Sequence, residues 1–307
     1  MRLYLLNAPP IKYFTFICNL FKNHALTVGF YTMKILTFTL FCLIAIAATF
    51  SGCKPMPNNG VPFYLRIDSA IVVAGDTIGT NTSKITDVWA EANTDNLGAY
   101  ELPVNFPVLQ QNDVRMVLNA GIWGSGQQGY RVNYPFYTSD TFTITNAEPG
   151  QQYSHIAKFE YIKGTVFTFT EDFKFGNIFN GLTLEYDSSA EHGTCGYVSV
   201  DAVDSNKIAA TINFYDLPEG QEIWLEMDYK AEVPFYAGFI GKFGTNTERY
   251  PVLFLNAKTT WNKVYIKLSE AVGGTRADTY SIYIEALRPY GSSGGKVYID
   301  NIKLVHL

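Results

Sequence analysis

Period-two alternation of apolar and polar residues runs from about residue 63 to the end of the chain, and it limits the fold more than any other feature. β-Branched and aromatic residues dominate these runs, and clusters of Gly, Asn, Asp and Pro separate them; clear examples are Phe63–Ile71, Ile223–Tyr229 and Val297–Leu304. Such alternation is typical of half-buried strands, and such clusters are typical of turns. No window here has helical periodicity longer than about three turns. The sequence therefore predicts an all-β fold of two β-sandwiches.

The stretch Met33–Cys53 has the order of a secretory signal. Lys34 precedes the apolar run Ile35–Phe50, and two small residues come before Cys53. A charged start, an apolar middle and small residues at the cleavage point are the parts of such a signal. The apolar run is shorter than the about 20 residues that span a bilayer. We therefore expect residues 33–52 to be removed on export.

The end of this stretch resembles a bacterial lipobox, although Phe50 stands where Leu is usual. The resemblance implies that Cys53 carries a lipid and that the membrane is a partner through this lipid. It also implies an outer-membrane location, facing the periplasm or the cell surface. Residues 53–62 are predicted to be a tether, and they contain no acidic residue. Since Met33 can serve as a start, residues 1–32 are interpreted as an upstream extension outside the native protein.

Charge and cysteine content limit the partners and the means of stabilisation. The whole chain has a net charge of −5, and removing the leader lowers Lys and Arg from 23 to 19 against 28 Asp and Glu, a balance of −9. Nucleic acid is therefore not expected as a partner, because phosphate neutralisation needs a basic patch. Cys195 is the one cysteine left after processing and lipidation. We expect no intramolecular disulfide and a fold held by its core.

The alternating part divides between residues 155 and 170 into blocks 63–162 and 163–307. In the first block, one strand ends in Gly, the next ends in Leu102-Pro103, and another strand follows at Asp113–Leu118. This order resembles small immunoglobulin-like and PEGA-like envelope modules. The resemblance implies a β-sandwich that serves as a spacer or docking module.

The second block closes on Val297–Leu304, with the letters VYIDNIKL, after strands that carry Trp224 and Trp261. This order resembles the galactose-binding-like jelly rolls of carbohydrate-binding modules. The resemblance implies a jelly roll that binds a glycan or a protein partner.

The same resemblance implies a structural calcium ion held by Asp300 together with Glu171 or Asp172. Calcium takes six to eight oxygen ligands, so backbone carbonyls would have to complete the shell. The alternative for this segment is that Asp300 and Asn301 form a bulge or cap a turn.

Alternation also predicts a polar-aromatic face in the second block. Exposed Trp and Tyr beside carboxylates and lysines suit sugars, because rings stack on C–H faces while polar groups fix hydroxyls. The candidate residues are Trp224, Glu226, Asp228, Trp261, Lys263, Tyr265, Tyr283 and Glu285. The alternative is that each Tyr is an ordinary strand residue and each Trp caps a sandwich edge.

Motifs for catalysis are weak. The segment Gly124–Gly129 matches G-x-G-x-x-G but is followed by no βαβ unit, so it is interpreted as a hairpin loop. His192 and Cys195 are close in sequence but lack a third orienting group. Glu226 and Asp228 share a strand face about 7 Å apart, a separation compatible with a glycosidase pair.

The leading expectation is therefore a non-catalytic envelope lipoprotein whose jelly roll binds a glycan or a protein partner. One alternative is a structural or assembly component of the envelope without a small ligand. The other is a glycan-cleaving enzyme.

Overall fold

The computed structural model describes residues 60–75 and 79–307, and the predicted signal peptide, Cys53 and the residues before Gly60 lie outside these ranges. Gly60–Leu307 forms one compact unit. Within the described ranges no helix has the length and apolar character needed to cross a membrane. Regular structure is almost entirely β, with α1 (Ser269–Thr275) as the one α-helix of the described part. The all-β prediction is confirmed.

Eight strands form the first sandwich. They are β1 (Phe63–Val72), β2 (Asp87–Ala92), β3 (Asp95–Glu101), β4 (Val104–Val108), β5 (Asn112–Trp123), β6 (Arg131–Asn133), β7 (Asp140–Ala147) and β8 (Gln152–Phe159). Sheet A has the order β4-β1-β8, and sheet B has the order β3-β2-β5-β6 with β7 also paired to β5. Along β1, Phe63, Leu65 and Ile67 face the core while Tyr64 and Arg66 face solvent. This is the alternation that the sequence predicts.

Eleven strands form the second sandwich. They are β9 (Val166–Glu171), β10 (Phe179–Asn180), β11 (Thr183–Tyr186), β12 (Thr194–Val200), β13 (Asn206–Thr211), β14 (Ile223–Ala231), β15 (Phe235–Phe243), β16 (Asn246–Leu255), β17 (Lys258–Lys267), β18 (Thr279–Leu287) and β19 (Gly295–His306). Sheet C has the order β11-β12-β19-β14-β17, with β9 also paired to β19. Sheet D has the order β10-β13-β18-β15-β16. The pairings in both sheets are antiparallel.

The cores of the two sandwiches are not independent. Sheets C and D enclose one apolar cluster, and sheets A and B enclose another. The second cluster also contains Trp224, Tyr265 and Val305, which belong to strands of sheet C. A backbone hydrogen bond from the Ser125 N–H to the Tyr265 carbonyl, 2.8 Å long, joins the β5–β6 loop to β17. One side of sheet C therefore completes the core of the first sandwich.

Candidate functional site

The eight residues predicted to share one exposed face lie in three different places. Five of them are buried between the sandwiches: Trp224, Glu226, Asp228, Lys263 and Tyr265. Trp261 is half-buried, farther along the same side of sheet C. Tyr283 and Glu285 lie on β18 in sheet D, the other sheet of the second sandwich. The structure therefore does not bring the predicted set together.

The first sandwich explains why the predicted face is covered. Alternation along β14 places Trp224, Glu226 and Asp228 on the side of sheet C that faces away from the core of the second sandwich, as predicted. That side carries the first sandwich, and these three residues are at most 8% exposed. The prediction of an exposed face is therefore wrong for these five residues, and it is also wrong for Tyr283, which is 1% exposed. A sequence pattern shows which residues face away from one core, but not that a second core covers them.

A buried polar network centres on Glu226. Its Oε1 accepts hydrogen bonds from the hydroxyls of Tyr134, at 2.7 Å, and Tyr161, at 2.9 Å. The Lys263 Nζ lies 3.8 Å from Glu226 Oε2 and 3.6 Å from Asp228 Oδ1. A buried charge must be paired and hydrogen-bonded to be tolerated. Tyrosines of the first sandwich thus satisfy a carboxylate of the second.

Lys303 shows how strongly this region is desolvated. Its side chain is 2% exposed, and its Nζ donates to the Thr80 carbonyl at 2.8 Å and to the Tyr161 hydroxyl at 3.3 Å. Burial lowers the pKa of Lys303 to about 8, although the charge of Glu226 acts in the opposite direction. The charged groups of this network, Glu226, Lys263 and Lys303, are at most 6% exposed.

The exposed remainder of the same side of sheet C is occupied by lysines. The Lys230 Nζ lies 5.4 Å from the ring centroid of Trp261 and 4.6 Å from that of Tyr298. The indole N–H of Trp261 donates to Ser189 Oγ at 3.1 Å. Lys296 lies 4.0 Å from the ring of Tyr197. Since lysine ammonium groups already cover these rings, this exposed part of sheet C is a weak platform on which a sugar could stack.

The outward side of sheet D has the opposite character. Along β15, Phe235, Ala237 and Phe239 enter the core, so Tyr236 and Gly238 face outward. A Cβ at Gly238 would lie 2.2 Å from the Tyr250 carbonyl oxygen and 3.1 Å from Cε1 of Tyr283. Glycine therefore allows Tyr283, which is 1% exposed, to lie across β15.

An aromatic pair and an ion pair meet on this side. Strand register aligns Glu285 with Tyr236, and Tyr236 with Phe254. The rings of Tyr236 and Phe254 are 5.1 Å apart at 61°, and Phe254 is 45% exposed. The guanidinium of Arg249 lies 3.3 Å from Glu285 Oε1.

Two further groups complete this side. Asn206 Nδ2 donates to Glu285 Oε1 at 3.1 Å. Burial raises the pKa of Tyr283 to about 12, with the charge of Glu285 acting in the same direction, so its hydroxyl stays protonated. A cavity of about 480 Å³ opens farther along sheet D beside Ile240 and Ser281. The sheet thus presents one exposed ring, Phe254, and one half-buried ring, Tyr236, next to fixed hydrogen-bonding groups.

Sequence reasoning found Tyr283 and Glu285 but missed Tyr236, Arg249 and Phe254. The signal for Tyr236 was present, since it alternates with core residues of β15. The register shift between β15 and β16 falls between Arg249 and Phe254 in the sequence. Such a bulge breaks period-two counting, so alternation could not assign both to one side.

The predicted calcium ligands fit a metal ion only in part. Both carboxylate oxygens of Glu171 accept backbone N–H groups, from Phe173 at 2.7 Å and from Ile178 at 2.8 Å. The described residues include no group of three or more His, Cys, Asp or Glu side chains that could hold a metal ion. In favour of a cation, Asp300 Oδ2 and Asn301 Oδ1 are buried acceptors without a hydrogen-bond partner.

Asp300 and Asn301 also form the predicted bulge. The register of β14 with β19 shifts here, and Asn301 has φ 49°. Burial raises the pKa of Asp300 to about 7. Asp172 lies 4.0 Å from His192 and adds its charge to the field that raises this pKa. Calcium at Asp300 with Glu171 or Asp172 stays a prediction, and the orphaned acceptors of residues 300 and 301 are its support.

The residues weighed for catalysis are poorly placed for it. Cys195 is fully buried, and burial raises the pKa of its thiol to about 12, whereas a nucleophilic thiol needs a lowered pKa. Glu226 and Asp228 are sealed between the sandwiches and cannot flank a polysaccharide. The segment Gly124–Gly129 lies in the turn between β5 and β6, as the hairpin interpretation predicts.

The fold and the sheet D site define a two-sandwich β-protein with a partly exposed aromatic pair, Tyr236 and Phe254, on one sheet. Neither a protein-family model nor a curated protein matches the sequence. Among solved structures, the chain is similar to a family 11 carbohydrate-binding module from Clostridium thermocellum in complex with a β-1,3-1,4-mixed-linked tetrasaccharide. Identity is 18%, 44% of this chain and 94% of that chain are covered, and the TM-score is 0.31.

Two other similar structures also contain carbohydrate-binding modules. One is the CBM22-1–GH10 part of xylanase 10B from Clostridium thermocellum, complexed with xylohexaose, at 11% identity, with 46% of this chain and 28% of that chain covered and a TM-score of 0.36. The other is a family 29 carbohydrate-binding module at 14% identity, with 47% of this chain and 92% of that chain covered and a TM-score of 0.31. At these identities and TM-scores no residue role transfers to this chain.

Proposed function

We propose that the protein is a non-catalytic, lipid-anchored envelope protein whose jelly roll binds a glycan on the outward side of sheet D. The anchor is the lipid predicted on Cys53, and the location is the outer membrane, facing the periplasm or the cell surface. The observation that carries the proposal is the register of Glu285, Tyr236 and Phe254 across three neighbouring strands.

The chemistry of Glu285, Tyr236 and Phe254 suits a sugar. Aromatic rings offer an apolar surface for pyranose C–H groups, and a carboxylate accepts hydrogen bonds from hydroxyls. Arg249 and Asn206 hold Glu285 from two sides, so little side-chain entropy is lost when a ligand binds. The guanidinium also offsets the carboxylate charge, which favours a neutral glycan over an ion.

A structural or assembly role in the envelope is the second candidate. The shared core of the two sandwiches favours it, because a rigid pair of domains suits a spacer. This role needs no small ligand and predicts that sheet D variants bind their partners normally.

The test is a glycan array probed with residues 60–307, the compact unit, followed by calorimetric titration. A stacking aromatic contributes about 1–3 kcal/mol, by analogy with ring stacking on bases. Phe254→Ala should therefore weaken binding roughly 5- to 150-fold. Glu285→Gln should weaken it as well, because the amide accepts a weaker hydrogen bond than the carboxylate.

Tyr290→Ala is the matched control, since Tyr290 is a fully exposed aromatic in the loop between β18 and β19, outside the three paired residues Glu285, Tyr236 and Phe254. It should bind like the parent. Loss of binding in the control and in Phe254→Ala to the same degree would contradict the sheet D site. Absence of any glycan binding, with envelope proteins co-purifying instead, would favour the structural role.

A further inference from the structure

The outward side of sheet B, in the first sandwich, carries a second group of neighbouring aromatic and polar residues. β2 and β5 pair so that Trp89 lies opposite Asn119, and Asp87 lies opposite Gly121. The core residues of these strands are Val88, Ala90 and their equivalents on β5, so the four paired residues face away from the core. The sequence predicted only a spacer or docking module here.

Asp87 organises this side although its carboxylate is fully buried. Its Oδ1 accepts a hydrogen bond from the indole N–H of Trp89 at 2.9 Å, and its Oδ2 accepts one from the Thr86 hydroxyl at 2.8 Å. Arg131 Nη1 lies 3.5 Å from the same Oδ2. A Cβ at position 121 would lie 1.8 Å from Asp87 Oδ1, so Gly121 leaves the room that this carboxylate occupies.

The buried carboxylate fixes two side chains that stay accessible. Trp89 is 37% exposed, and its ring orientation is set by the bond to Asp87. The side chain of Arg131 is 30% exposed and is held by Asp87 and by Glu101, whose Oε2 is 2.6 Å from Nη2. A solvated sheet face needs only polar residues, and burying a charge costs free energy. Stability alone does not account for this arrangement, whereas preorganisation of a binding surface does.

The surroundings of Trp89 leave its ring open and select the kind of ligand. Its lateral neighbours are Ala99 on β3 and Asn119 on β5, both smaller than the ring. Trp123 lies on the same side four residues beyond Asn119, at a strand distance of ~13 Å. Asp87 and Glu101 together more than offset the charge of Arg131, which disfavours an anionic ligand. The Lys84 Nζ lies 5.0 Å from the ring centroid of Trp123, so Trp89 is the open platform of the two.

We propose that the outward side of sheet B is a saccharide-binding site that is separate from sheet D. Its ligand is a neutral, linear oligosaccharide. One sugar ring stacks on Trp89, and its hydroxyls bond to the Arg131 guanidinium and the Glu101 carboxylate. The chain of sugars extends from Trp89 along β5.

The test uses residues 60–307 labelled with ¹⁵N, titrated with cellohexaose, xylohexaose and mannohexaose. The chain has four tryptophans, and each gives one indole N–H signal that a Trp→Phe variant assigns. With at least one of the three probes, the Trp89 signal should shift while that of Trp224, which is buried between the sandwiches, stays in place. If the Trp89 signal moves with none of the probes, the proposal is overturned.

Variants separate this site from the one on sheet D. In a Phe254→Ala background, the Trp89 shift should persist, and adding Trp89→Ala should lower the remaining affinity at least five-fold. Tyr64→Ala is the matched control, because Tyr64 is a similarly exposed aromatic on the opposite sheet of the same sandwich. Loss of the Trp89 shift in Phe254→Ala alone would overturn the sheet B site and leave the sheet D proposal standing. Binding that depends on Trp89 but not on Phe254 would overturn the sheet D site and leave the sheet B proposal standing.

Discussion

Replacing Trp224 by alanine is the sharpest test of the joint between the sandwiches. Trp224 belongs to β14 of the second sandwich, yet its side chain completes the core of the first sandwich and is 2% exposed. Its ring packs edge-on against Tyr134 with the centroids 5.4 Å apart. The substitution removes this contact and leaves a cavity where the two sandwiches meet.

The expected loss follows from the size and burial of the side chain. Truncating a buried Trp to Ala costs about 3–5 kcal/mol. For domains of 150–250 residues, 1 kcal/mol shifts the melting temperature by about 2–4 °C. We therefore expect Trp224→Ala to melt roughly 6–20 °C below the parent protein.

Trp261→Ala is the matched control for differential scanning calorimetry. Trp261 lies on the same sheet but is half-buried, and its indole N–H bonds to Ser189 near the surface. A loss of about 1 kcal/mol, near the centre of the distribution for point variants, is expected there. Equal melting temperatures for the two variants would refute the shared core.

The remaining predictions concern the buried charge, the pH dependence, the metal and the anchor. Glu226→Gln should destabilise the unit by about 3–5 kcal/mol, because it leaves Lys263 buried beside fewer negative charges; chemical denaturation checks this, and a loss below about 1 kcal/mol would contradict it. The raised pKa of Asp300, about 7, means that the native state holds a proton that the unfolded state releases near pH 4, so its contribution to stability should fall as pH rises from about 4 to about 7. The melting temperature of Asp300→Asn should lose this part of its pH dependence, whereas that of the exposed variant Asp68→Asn should keep it. If calcium binds Asp300, a chelator should lower the melting temperature of the parent protein but not of Asp300→Asn, and identical parent curves with and without chelator would exclude the ion. Cys53→Ala should move the protein out of the membrane fraction and abolish labelling by a fatty-acid analogue; membrane retention without label would contradict the lipid anchor.

The strands were predictable because each needs only a local pattern. Phe63, Leu65 and Ile67 alternate with polar neighbours, and that spacing alone places them in a core. The strand Val297–Leu304 was also predictable, although its bulge at Asn301 was open until the register was seen. Local periodicity therefore accounts for the all-β fold.

The site was less predictable because it depends on contacts between distant segments. Nothing near Trp224 in the sequence indicates that Tyr134, 90 positions earlier, packs against it. Likewise, the hydrogen bond from Trp89 to Asp87 depends on space above Gly121, on a different strand. Alternation assigns a side of a sheet, whereas tertiary packing decides whether that side meets solvent.

The joint built from Trp224, Tyr265 and Val305 also bears on how such a protein can be inherited. A sandwich with a complete core of its own can be copied, moved and fused to new neighbours as a cassette. Neither half of this chain has that freedom, because the first would lose three core side chains and the second would expose them. A substitution at the joint in one half therefore needs a compensating substitution in the other half if the shared core is to stay filled.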